Sequence, residues 1–171
     1  MKQLMTIILC VIGTSALSQS IKDLDFLIGE WEVKETLYPG TERTWTENGK
    51  RTCGYYLKDR FIKCESLTVD SRNQKERAYV YFFNYDEKQE CFQVTSLAHD
   101  FPLHGQHKWF LDKENKIIQA ISPVNVFQDK FFRGTIDFSN PDKIVWNGWA
   151  SKYIKDKEWK QVFNDVTSRK K

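Results

Sequence analysis

Apolar and polar residues alternate along this chain with a period of two rather than 3.6, in short runs split by turn residues. After residue 18 no window of ten or more residues shows a clean helical stripe. Runs rich in Val, Ile, Thr, Phe, Tyr and Trp fall at roughly 29–38, 41–47, 50–57, 60–69, 75–86, 90–100, 106–112, 116–122, 127–139, 143–153 and 158–167. Such runs at close spacing read as β-strands. Pro39, Pro102, Pro123 and Pro141 fall between runs or at their edges, as expected of a residue that cannot donate to a sheet ladder. Asn48-Gly49 predicts a type I′ hairpin and hence eleven strands; if it is a bulge within one long strand, the count is ten.

Short connections between successive strands imply an up-and-down meander, and a meander this long removes its edges by closing on itself. The predicted fold is therefore an all-β antiparallel barrel of about ten strands, with a β-sandwich as the alternative. The single helical piece is a short turn at 22–27, capped by Ser20 or Asp23 and ended by Gly29.

The first residues change the picture of where the protein works. Lys2, the apolar run Leu4 to Ile12, and small residues at Ala16 and Ser18 predict a signal peptide over residues 1–18, cleaved after Ser18. A membrane anchor is the competing reading, but a span needs roughly 20 apolar residues. Export to a periplasm or medium follows, with residues 19–171 as a single domain and no membrane span. Without Lys2 the chain carries 25 basic and 23 acidic residues, a net +2 with both signs interleaved. That pattern does not suggest a nucleic-acid partner.

Export also permits a disulfide. If Lys58-Asp59 forms a two-residue turn, counting back along both strands sets Cys53 opposite Cys64, within bridging distance. Cys91 is then a lone buried thiol or an intermolecular link. Zinc-type CxxC spacing is absent, as are P-loop, dinucleotide-binding, HExxH and GxSxG motifs in residues 19–171. No catalytic residue, metal ligand or cofactor is expected from these patterns.

The segment LDFLIGEWEV, residues 24–33, resembles the opening of the calycin superfamily: a short 3₁₀ helix, then Gly-x-Trp entering the first strand. The resemblance implies that Gly29 and Trp31 close one end of the barrel. It also implies that Arg169, in the segment TSRKK, packs over the tryptophan from beyond the last strand. Residues 21–169 are similar to uncharacterised lipocalin-like domains of exported bacterial proteins, domains of unknown function. FFNYDEKQECFQVTSLAHD (82–100) and the tetrapeptide His99-Asp100-Phe101-Pro102 carry that likeness. Nitrobindin-type haem barrels are a more distant resemblance; their axial histidine lies late in the chain, whereas the last histidine here is His107.

The candidate site residues are those that could face a barrel interior. Tyr79, Tyr81, Phe83, Trp146 and Trp149 lie in predicted strands, and some must point inward, which favours an apolar cavity. Glu35 alternates with Val33 and Leu37, and Arg133 alternates with Phe131. Either would set a polar group inside unless a local bulge turns it out. In HDFPLHGQH (99–107), a loop at Pro102-Leu103-His104 would set His99 across from His107, with Asp100 capping turn amides. His99 could instead line the cavity opening and hydrogen-bond a ligand. The expected ligand contacts are thus His99, Tyr81, Phe83, Trp146 and Arg133. The leading function is binding of a small, largely apolar molecule. A haem- or metal-dependent catalyst built on the 99–107 histidines, and a filled barrel serving as a structural or interaction module, are the alternatives.

Overall fold

The computed structural model describes residues 19–99, 101–122, 130–153 and 158–170. The proposed signal peptide, residues 1–18, and Asp100 lie outside the described residues. A 3₁₀ helix, Ile21–Leu27, comes first; the Ser20 N–H donates to Asp23 at 2.8 Å and fixes its start. Ten strands follow: β1 Gly29–Leu37, β2 Trp45–Tyr56, β3 Phe61–Asp70, β4 Glu76–Asp86, β5 Cys91–Ala98, β6 Phe101–Asp112, β7 Ile117–Ile121, β8 Phe131–Asn140, β9 Lys143–Ser151 and β10 Lys160–Arg169. Each strand pairs antiparallel with the next, and β10 returns to β1, closing an up-and-down barrel without edges.

Two sequence expectations about turns need correction. Asn48-Gly49 makes no hairpin; both residues lie inside β2, opposite Val69 and Thr68 of β3. Glycine is needed there for space, since a Cβ at Gly49 would stand 2.0 Å from the Leu67 carbonyl oxygen. The histidine segment also turns earlier than expected. Ala98 pairs with Phe101, Ser96 with Gly105, and Val94 with His107, so 102–104 belongs to β6 rather than to a loop. His99 is therefore in the turn itself and does not oppose His107.

One end of the barrel is closed by packing. Leu24 and Leu27 of the helix are buried against Trp31, Phe92, Trp109, Ile118, Ile136 and Ile144. The Trp31 Nε1–H donates to the Leu27 carbonyl at 2.8 Å. The Arg169 guanidinium lies 4.3 Å from the Trp31 ring centre and donates to the Ile28 carbonyl at 3.0 Å and the Pro141 carbonyl at 3.2 Å. Gly29 has φ +129, and a Cβ there would meet the Arg169 guanidinium at 2.8 Å, so glycine lets the arginine close over the ring. The Phe26 and Phe138 rings stack at 4.1 Å beside it. Helix, first strand and last strand are thus tied at one point.

Cys53 and Cys64 face each other across β2 and β3 and are disulfide bonded, with Cα atoms 4.1 Å apart. Cys91 is a free, buried thiol, and burial raises its pKa. No helix among the described residues is long and apolar enough to cross a membrane.

Candidate functional site: an interior cavity with one polar wall

Away from the closed end the inward side chains no longer fill the barrel. They leave a cavity of about 260 Å³, bordered by the end of β1, the middle of β4, the end of β5, Gly105 and His107 of β6, the starts of β8 and β10 and the second half of β9. Two unlike walls enclose it.

The first wall is aromatic. Trp146 of β9, Phe132 of β8 and Phe163 of β10 line the cavity. Phe132 and Phe163 stack at 5.7 Å, and Trp146 meets Phe163 edge-on at 5.2 Å. His107 of β6 packs edge-on against Phe132 at 5.1 Å. Burial lowers its pKa to about 4, so the imidazole is neutral at ordinary pH. The Trp146 Nε1 and His107 Nδ1 atoms are buried and find no hydrogen-bond partner among the described residues.

The second wall is polar: Glu35 of β1, Tyr79 and Tyr81 of β4 and Asp165 of β10 line the cavity, and a network of charged and hydroxyl groups from β2, β3, β4 and β10 stands behind them. Arg51 donates to Asp165 at 2.6 Å, to Ser66 at 2.8 Å and to Thr167 at 3.3 Å, and Thr167 donates to Asp165 at 2.9 Å. Glu47 is fully buried and accepts from Thr68 at 2.8 Å, Arg77 at 2.9 Å and Tyr79 at 3.1 Å. Such ion pairs sit inside a protein only where additional hydrogen bonds occupy the remaining lone pairs, and both carboxylates meet that condition. Glu35, which lines the cavity, makes neither a hydrogen bond nor a salt bridge among the described residues. Burial, and then the neighbouring Asp165 and Glu47, raise its pKa to about 8. Glu35 is thus a protonated acid at neutral pH, bordering the cavity.

The expected ligand contacts divide. Tyr81 and Trp146 line the cavity. Phe83 does not; it is buried deeper, 5.0 Å from Trp109 in the packed core. Arg133 points outward, because β8 sets Phe132, Gly134 and Ile136 inward and reverses the expected phase. Its guanidinium packs 4.6 Å over the Trp159 ring. His99 is exposed in the β5–β6 turn, where its Nδ1 accepts from the Ala78 N–H at 3.0 Å, so its acceptor serves the backbone rather than the cavity. Among the described residues no three His, Cys, Asp or Glu side chains are grouped to hold a metal.

Sequence reasoning passed over Glu47, Arg51, Arg77 and Asp165, and it considered His107 only as a partner of His99. A signal for the β2 pair was present. Counting by twos back from Cys53, whose partner is inward Cys64, gives Arg51, Gly49, Glu47 and Trp45 on the barrel interior.

No family model and no curated protein matches the chain. Among solved structures it is similar to the S-type phycobiliprotein lyase CPES from Guillardia theta. The TM-score is 0.60 at 13% identity, over 90% of this chain and 94% of that one. It is also similar to Rv2717c from M. tuberculosis, with a TM-score of 0.57 at 10% identity, over 88% and 97% of the two chains. At such identities the likeness is one of fold: a calycin-like β-barrel.

Proposed function

We propose that this chain is an exported lipocalin-like protein that binds one small, largely apolar molecule inside its barrel. The observation that carries the reading is the cavity itself, walled by Trp146, Phe132 and Phe163 on one side and closed below by a packed core. An apolar cavity of 150 Å³ holds benzene, so 260 Å³ suits a ligand of roughly ten non-hydrogen atoms. A filled barrel serving only as a module does not fit that volume. The histidine-based alternative loses its geometry, because His99 and His107 do not face each other.

Two features support export, with residues 1–18 as the signal peptide cleaved after Ser18. One is the charge and apolar pattern of those residues. The other is the Cys53–Cys64 disulfide, of a kind that persists in oxidising compartments.

Native mass spectrometry of protein purified from its own compartment tests both parts. We expect a mass beginning at Gln19, with one intramolecular disulfide and an added small molecule of roughly 100–200 Da lost on activation, the size set by the cavity. A chain retaining residues 1–18, recovered from the cytoplasm with both thiols free, would overturn export. Protein that carries no small molecule and takes up none from a library of apolar compounds would overturn the binding role.

A further inference from the structure

In and behind the polar wall stand three carboxyl groups, Glu35, Glu47 and Asp165, and two guanidinium groups, Arg51 and Arg77; of these, Glu35 and Asp165 line the cavity. Arg51 pairs with Asp165 at 2.6 Å and Arg77 with Glu47 at 2.9 Å. Glu35 is left over, without a salt bridge among the described residues. The hydroxyls of Tyr81 and Ser96, which line the same cavity, also make no hydrogen bond with any described residue. A carboxyl and two hydroxyl groups, each able to accept a hydrogen bond, therefore open onto a space walled by aromatic rings.

That set matches one ligand chemistry. An ammonium group brings three N–H donors and no acceptor, and it supplies the close cation partner that Glu35 lacks among the described residues. Aromatic faces attract such a cation where water is excluded. A carboxylate ligand would add negative charge beside an unpaired acid. A neutral ligand would leave Glu35 in its protonated form and gain no charge pairing from it.

Resting on the ligand-binding reading, we propose that the cavity takes a small primary amine with an apolar or aromatic body, its ammonium held by Glu35, Tyr81 and Ser96. The groups around Glu35 are Glu47 and Arg51 on β2, Arg77, Tyr79 and Tyr81 on β4, and Asp165 on β10, with His107 and Lys130 also lining the cavity. Burial raises the pKa of Tyr79 and Tyr81 and lowers that of His107, which keeps all three neutral. The proton that Glu35 holds in the empty barrel is exchanged for the ammonium on binding. Affinity therefore rises as Glu35 ionises towards pH 8 and falls once the free amine loses its proton, near pH 10 for an ordinary alkylammonium.

Calorimetric titration with 2-phenylethylamine and its neutral match 2-phenylethanol tests this. The amine should bind about tenfold or more tighter than the alcohol at pH 8, as a charge-assisted contact is worth. Repeating the amine titration at pH 7 in two buffers of different ionisation enthalpy should show release of about one proton. Glu35→Gln should remove the preference for the amine over the alcohol, and a cooperative melt of the variant serves as the control for folding. Equal affinity for the two compounds, or amine binding without proton release, overturns the amine inference and leaves the cavity reading in place. Failure of both compounds to bind overturns the cavity reading and the amine inference together.

Discussion

Glu35 shows how much can be read at the scale of one residue. Its alternation with Val33 and Leu37 is legible in the sequence and puts it inside the barrel. The same argument applied to Arg133 fails, because it depends on which of two phases a strand adopts, and β8 packs Phe132 rather than Phe131 against the core. A one-residue slip exchanges the two faces of a strand. Asp165 and Arg51 escaped notice for a different reason: a single charge in a strand reads as a solvated face until its partner is known. Here the partners are 114 residues apart in sequence.

The Glu35 carboxyl also makes stability depend on pH. Its folded pKa of about 8 lies above its ordinary value of 4.5, so the folded state holds the proton over that interval and the unfolded state does not. Each step of one in pH between those values then costs the folded state about 1.4 kcal/mol, and the loss levels off above pH 8. His107 acts in the opposite sense, but only between about 4 and 6.5, so pH 7–8 isolates Glu35. Glu35→Gln should flatten the fall in stability and exceed the parent at pH 8 by roughly 2–4 kcal/mol, since the amide has no proton to lose. Urea titrations at pH 7 and pH 8 measure this; parallel behaviour of parent and variant would place an ionised Glu35 in contact with a cation.

At the scale of elements, most strand runs were legible because β-strands alternate and turn residues punctuate them. The first exception was β2, where Asn48-Gly49 has the composition of a tight turn. What decides against the turn is tertiary: Gly49 lies under the Leu67 carbonyl of β3, and the strand needs a missing side chain at that point. Gly49→Ala should cost at least about 2 kcal/mol by forcing β2 and β3 apart, whereas a residue in an exposed turn would cost far less. A thermal melt separates the two. The second exception was the β5–β6 connection, where three histidines and a proline suggested a longer loop. The Ala98–Phe101 pairing brings the turn earlier and makes it one residue tighter, and it leaves His107 as the inward histidine.

At the scale of the whole molecule, a short helix, Gly-x-Trp and a late arginine pointed to a closed calycin-like barrel, and closure is visible in the pairing of β1 with β10. Trp31 joins the helix to that seam and is 1% exposed. Trp31→Ala should therefore cost about 3–5 kcal/mol through the cavity left behind, read as a loss of urea midpoint at unchanged slope. An apolar cavity was expected from the strand aromatics, but its size and place were not legible, since they depend on how inward side chains from seven strands meet.

That volume is also the most direct point of test. Ala150 lines the cavity from β9, and a large side chain there occupies the space a ligand needs. Thermal melts with added naphthalene, a ten-carbon ligand of the right size, should show the parent protein stabilised in proportion to ligand concentration, as binding to the folded state alone requires. Ala150→Trp should melt cooperatively and show no shift. A parent protein indifferent to naphthalene, or a filled variant stabilised as much as the parent, would contradict a ligand cavity inside this barrel.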